Sequence, residues 1–470
     1  MAREEYVPFT ISDLSRRLRD RSISPVELTH ECLERIDRLN PVLNAFVTVT
    51  AESALERARR AEREIYRGTY LGPLHGIPIG LKDIIDTAGV RTTAASALFK
   101  DRIPKEDADV VSRLRAGGAI ILGKQNLHEF AYGGSSMISH FGEVHNPWDT
   151  TRVAGGSSGG SAASVAAALG FGAVGTDTAG SIRLPAAYCG VVGIKPTYGR
   201  VSTRGVIPLS PSYDHVGPLA NSVFDAALML QVLTGRGADD PSLRPSFVSA
   251  FDELPANLRV GVPREFFFDD LHPEVSDAIE KAIQVFATLH AEIRDIKLEV
   301  SADRTLASAE AYAYHESSIA SSPELYQPAT LARIRSGAEI PAPDALRASR
   351  DLQASRDRIK KVFDEVDVLL TPTVPIPPPA IAELREHPDD LRRQELMMLR
   401  NTRPFNVWGI PAISVPCGFT RGGLPVGLHL AAAPWRGNVL LQAAHEYEQA
   451  TGWHKRMPQL LASQDLSRSQ

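Results

Sequence analysis

The chain has 470 residues, 43% of them hydrophobic and 23% charged, with a formal net charge of −5. Both signs are mixed along the chain, with no basic tract and no acidic tail, which excludes an electrostatic nucleic-acid surface and predicts no nucleic-acid partner. Three widely spaced cysteines (Cys32, Cys189, Cys417) exclude a disulfide framework and a clustered zinc site, and the start "MAREEYVPF" has no apolar core. A cytoplasmic protein with no membrane span is expected.

Residues 10–39 predict two short helices. In the second, Ser24 is placed to cap, Pro25 suits the first helical position, and Leu28, Cys32, Ile36 and Leu39 recur at helical spacing. "AFVTVT" (45–50) predicts a strand and 51–67 a charged helix. "GIPIGLKD" (76–83) predicts a buried strand ending at Lys82. "DVVSRLRAGG" and "AIILGK" predict helix, turn and strand. This alternation predicts an α/β fold with helices on both faces of a sheet. Residues 220–365 are more helical, with a strand-like "LRVGVP" (258–263). The proline-rich 371–383 predicts a loop or extended segment. "PAISVPCGF" and "LPVGLHLAAA" predict two further strands. No repeat of fixed period is present. One domain over residues 1–470 is expected, with 240–360 a more variable helical region.

Three short motifs match and fail on context. "GGSSG" (155–159) fits the G-x-S-x-G elbow and would make Ser157 a nucleophile, but a polar loop stands where that motif needs a buried strand. "GFGAVG" (170–175) fits G-x-G-x-x-G, but the helix precedes the strand and no acid follows at the required distance. "GAIILGKQ" (118–125) nearly fits a phosphate loop, but lacks its Ser/Thr and reads as a strand. His128, His140 and His145 have no standard metal-ligand spacing, and no metal is expected.

A different constellation survives. A helix over residues 158–169 would span ~18 Å and a strand over 172–177 ~20 Å. Running out and back, they would bring Ser157 and Ser181 to the same sheet edge. If the strand ending at Lys82 is parallel to 172–177, Lys82 joins them where open α/β sheets place their sites. A neutral lysine can then take a serine's proton through a second serine. For that, burial must lower its pKa from ~10.4 by ~2–3 units.

The blocks "GIPIGLKD", "NPWDTTRVAGGSSGGSAASVAA", "GTDTAGSIRLPAAYCGVVGIKPTYGRVS" and "GIPAISVP…GLPVGL" make the chain similar to the amidase signature enzymes, over roughly residues 10–235 and 365–455. The resemblance implies a central mixed, mostly parallel twisted sheet covered by helices on both faces. It implies hydrolysis of a carboxamide, or of a related anilide or carbamate, without metal or organic cofactor. It also implies roles for Lys82 as base, Ser157 as the middle serine on a cis peptide bond, and Ser181 as nucleophile. The N–H groups of Thr178, Ala179, Gly180 and Ser181 would form the oxyanion hole. Position 179 is Ala where the family often has Gly, a strain if φ is positive there. Tyr132, Gly133 and Ser158 are expected against the substrate, and Asp177 with Arg183 as a structural ion pair.

The segment "RNTRPFNVWGIPAIS…LPVGLHLAAAPW" resembles free-standing amidases more than amidotransferase A subunits. The expected partner is therefore a small-molecule amide only, and a homodimer is compatible. The alternatives are the A subunit of a glutamine-dependent aminoacyl-tRNA amidotransferase, a binding protein with a dead site, and an α/β-hydrolase using Ser157.

Overall fold

The computed structural model describes residues 10–235, 247, 251, 258–301 and 303–462. In chain order the strands are β1 (Phe46–Val49), β2 (Pro78–Lys82), β3 (Ile120–Gln125), β4 (His145–Asn146), β5 (Asp149–Val153), β6 (Gly172–Asp177) and β7 (Val192–Lys195). There follow β8 (His215–Ala220), β9 (Arg259–Val262), β10 (Glu292–Asp295), β11 (Val368–Pro372), β12 (Ala412–Phe419) and β13 (Pro425–Ala432). Eleven of them form one sheet in the order β1-β3-β2-β6-β8-β7-β12-β13-β11-β9-β10, and β4 and β5 form a small ribbon. β2 runs parallel to β3 and β6, and β9 parallel to β10 and β11; the remaining neighbours are antiparallel. The sheet is thus mixed and flanked by helices, as expected of the fold class.

Every residue of β2, β6, β8, β11 and β13 is buried. Strands covered on both faces need no polar alternation, which is why these read as continuous apolar or small-residue runs. The second helix, Pro25–Leu43, starts on a capping box: Ser24 accepts from the Val26 and Glu27 N–H groups while Glu27 reaches back to the Ser24 N–H. The proline-rich segment is extended or irregular as expected up to Ala380 and departs from its reading only where the helix Ile381–Glu386 begins. Thr371 and Pro372 close β11, where a proline costs no ladder bond because the strand ends there. The more variable region joins the sheet too: β9 and β10 lie at its end.

Candidate active site

β2 and β6 run parallel, with Leu81 opposite Val174, so their C-terminal ends reach the same edge of the sheet. Lys82 and Thr176 arrive there together. The helix Gly159–Ala166 starts at that edge, and β6 returns to it. The return path places the segment of Ser157 and Ser158 beside that of Ser181, and the Ser158 N–H donates to the Ser181 carbonyl at 3.1 Å.

Lys82 is fully buried. Its Nζ donates to Ser157 Oγ at 2.7 Å and to Thr176 Oγ1 at 2.8 Å. Burial lowers its pKa to about 7, against the charges of Asp177 and Asp214, which favour the ammonium. Burial thus shifts Lys82 toward the free amine. The Gly156–Ser157 peptide bond is cis. The Ser157 carbonyl accepts from the His128 N–H at 3.1 Å and the Ser136 hydroxyl at 3.3 Å. Ser181 lines a cavity of about 300 Å³. Among the described residues its hydroxyl makes no hydrogen bond, so Lys82 is joined to Ser157 while Ser181 faces the cavity unattached. Catalytic hydrogen bonds commonly close only once substrate is bound.

Asp177 shapes the loop that carries Ser181. Its carboxylate accepts from the Gly180 N–H at 2.8 Å and the Ile182 N–H at 3.1 Å. Arg183 donates to both carboxylate oxygens, at 2.9 and 3.0 Å, and Asn406 adds a third donor at 2.8 Å. Burial alone would favour the neutral acid. The Arg183 charge and the hydrogen bonds of Arg183 and Asn406 outweigh it and hold Asp177 far below the usual carboxylate range.

This loop alters the expected oxyanion hole. The Gly180 N–H is already committed to Asp177 and is not available to a substrate oxygen. The N–H groups of Thr178, Ala179 and Ser181 meet no acceptor among the described residues. The positive φ of the loop, 136°, falls on Gly180 and not on Ala179, so alanine at 179 carries no such strain. A Cβ at 180 would stand 2.0 Å from Thr402 Oγ1.

Tyr132 and Gly133 line the cavity together with Thr178 and Ala179. Ser158 does not, which corrects its expected substrate contact. Its hydroxyl donates to the Thr176 carbonyl at 3.1 Å and accepts from the Thr176 N–H at 3.3 Å, bracing β6 instead. Two features escaped the sequence reading. Thr176, the second acceptor of Lys82, lies two residues before Thr178 on a strand, a spacing that could have flagged it. The cavity also takes Arg304, Arg392, Arg400 and Arg403, and only Arg400 and Arg403 stand close together in the sequence. Among the described residues no cluster of three or more His, Cys, Asp or Glu is placed to hold a metal ion, and no helix is long and apolar enough to cross a membrane.

A family model described as Amidase matches residues 27–441. The chain belongs to the amidase family. Among curated relatives it is 39% identical to the A subunit of the Glutamyl-tRNA(Gln) amidotransferase of Geotalea daltonii, over 96% of this chain and 99% of that one. Among solved amidase-like structures, the 6-aminohexanoate cyclic dimer hydrolase in complex with substrate matches with a TM-score of 0.87 at 31% identity, covering 96% of this chain and 99% of that one. The peptide amidase of Stenotrophomonas maltophilia matches with a TM-score of 0.82 at 30% identity, covering 97% and 99%.

These amidase relatives correct two expectations. The curated ones are amidotransferase A subunits at close to 40% identity along nearly the whole chain. That overturns the reading of a free-standing amidase in preference to an A subunit. Their name also overturns the expectation of a small-molecule partner only, with no nucleic acid. The physical reasons are plain. Most of the segment that favoured the free-standing reading is buried as the helix Pro404–Val407, β12 and β13, so it reports the packing of the fold more than the choice of partner. Net charge describes a chain's own surface, not what an assembly around it holds.

Proposed function

We propose that this amidase-family chain splits a carboxamide C–N bond through an acyl-enzyme on Ser181. The observation that carries the reading is a buried Lys82, its pKa lowered to about 7, joined at 2.7 Å to a serine beside a cavity-facing Ser181. Ser181 Oγ attacks the carbonyl carbon, and its proton passes through the Ser157 hydroxyl to neutral Lys82. The oxyanion forms at the N–H groups of Thr178, Ala179 and Ser181, with removal of one such donor worth ~3–4 kcal/mol of barrier. The proton returns to the leaving nitrogen as the C–N bond breaks, and water then frees the acid and restores Ser181.

The curated relatives favour a second element of this reading. The chain acts as the A subunit of a glutamine-dependent aminoacyl-tRNA amidotransferase, cleaving an amide donor so that its ammonia reaches an acceptor held by partner subunits.

Labelling with a fluorophosphonate tests the nucleophile. The wild-type chain is expected to label and Ser181→Ala not to. Labelling that survives Ser181→Ala would transfer the role to Ser157. Ammonia release by the chain alone, compared with the chain plus amidotransferase partner subunits, tests the second element. Stimulation only by the partners supports the amidotransferase role, and full turnover without them opposes it.

A further inference from the structure

The segment from His128 to Ser136 serves both sides of the site. Tyr132 and Gly133 line the cavity at Ser181, while the His128 N–H and the Ser136 hydroxyl hold the Ser157 carbonyl at 3.1 and 3.3 Å. The segment bends through three non-glycine residues with positive φ: Phe130 at 50°, Ala131 at 58° and Ser136 at 58°. Side chains disfavour that region, and such a backbone persists only where its surroundings hold it. The hold here is the fully buried His128 imidazole. A Cβ at position 133 would stand 2.2 Å from His128 Cε1, so the bend folds directly onto the ring. On one side, Arg333 Nη1 lies 3.2 Å from Nε2. A guanidinium only donates, so Nε2 accepts and the ring proton sits on Nδ1. Burial keeps the ring from taking a second proton, with its pKa pushed down to about 3. Nδ1 faces Glu395 Oε1 at 3.4 Å and Ser135 Oγ at 3.5 Å, and Ser135 donates to that same Glu395 oxygen at 2.6 Å. Arg333 pairs with Glu395 Oε2 at 2.9 Å and donates to the Tyr132 carbonyl at 2.7 Å. Glu395 itself is fully buried on the helix Leu391–Met398 and is not among the residues that line the cavity. An apolar side chain would cost less to bury there. The carboxylate instead orients two donors of one bend, the His128 ring and the Ser135 hydroxyl.

We propose that Glu395 is a positioning residue for Ser157: acting through the His128 imidazole, it fixes the 128–136 bend and so the carbonyl, and with it the hydroxyl, of the serine that relays the proton. Lys82 holds Ser157 by its side chain at 2.7 Å, and the bend holds it by its backbone. Both are needed to aim one hydroxyl at two partners, Lys82 and Ser181. Glu395 touches neither substrate nor reacting atoms, so its loss should slow proton transfer and leave binding nearly as it was. The inference rests on the acyl-enzyme reading of Ser181.

The test uses the full chain, with partner subunits present if turnover requires them. Glu395→Gln keeps the shape of the side chain but removes the ion pair with Arg333, and His128→Leu removes the ring that Glu395 orients. Each is expected to lower kcat on one amide by about 10- to 100-fold, as for a misplaced catalytic group, with KM within about three-fold of the wild type. The double variant should be no slower than the slower single one, because both break the same link. Ser135→Ala removes one hydroxyl, disturbs folding less, and should lower kcat by about three- to ten-fold. The rate at which the fluorophosphonate labels Ser181 should fall in parallel, a readout that needs no turnover. Unchanged kcat in Ser135→Ala and in a folded Glu395→Gln overturns the proposal. So does a raised KM at constant kcat, which would make Glu395 a determinant of substrate binding. Losses that multiply in the double variant overturn the path through His128. All three results leave Ser181 labelling in the wild type intact, whereas a folded wild-type chain that does not label overturns the acyl-enzyme reading itself.

Discussion

The two hydrogen-bond partners of Lys82 are hydroxyls, of Ser157 and Thr176, and not carboxylates. Burial is thus opposed only by the more distant charges of Asp177 and Asp214. If the free amine is the base, kcat/KM should rise with pH through a limb near 7. Asp214, which burial raises to about 6 against hydrogen bonds from Thr178 and the Ser210 and Leu209 N–H groups, favours the ammonium when ionised. Asp214→Asn should therefore move the limb to lower pH, measured as kcat/KM against pH on one amide. Lys82→Met should cost at least ~10³-fold in kcat and yet stabilise the fold, by about 1–3 kcal/mol in a denaturant titration. The sign follows from linkage. The folded pKa lies below the unfolded one, so the unfolded chain binds more protons between about 7 and ~10.4. The penalty for burying Lys82 is fully present below pH 7 and fades as pH rises through that window. The gain from methionine should fade with it.

At the scale of elements, the loop between β6 and the helix Arg183–Cys189 is held by Asp177 at its base and Gly180 at its bend. Gly180→Ala would bring a Cβ to 2.0 Å from Thr402 Oγ1 at a φ of 136°. A loss of ~2–4 kcal/mol in unfolding free energy and of nearly all amide turnover is expected, read by urea titration and by ammonia release. The same elements show what is readable in the sequence. β2, β6, β12 and β13 are legible because strands buried on both faces leave uninterrupted apolar runs. The out-and-back path of helix and strand places Ser157 and Ser181 at one edge, and Lys82 joins them only once β2 is known to run parallel to β6. The commitment of the Gly180 N–H is not legible, because a carboxylate three residues away can turn toward a loop or away from it. Arg304, Arg392 and Arg403 are not legible either. They lie on separate segments, and only the tertiary fold brings them to one wall.

Across the whole molecule, Arg183 ties the loop of Ser181 to the C-terminal part of the chain. Besides Asp177 it donates to the Thr402 carbonyl at 2.9 Å, to Asn406 Oδ1 at 2.7 Å and to His429 at 2.9 Å, all of them buried. Arg183→Ala leaves the buried Asp177 carboxylate hydrogen-bonded to Asn406 and backbone N–H groups, without its paired guanidinium. Removing one partner of such a pair costs ~3–5 kcal/mol, and a chain that is mostly insoluble or melts well below the wild type is expected in a thermal scan. β7 pairs with β12, β12 with β13 and β13 with β11, so the two halves of the open sheet are joined only by the last two strands. Lys82, Ser157 and Ser181 all belong to the first two-fifths of the polypeptide, but Thr402 and Asn406, which brace the Asp177-held loop around Ser181, come more than two hundred positions later. During synthesis the three residues of the proposed trio therefore leave the ribosome well before the side chains that brace the loop around Ser181.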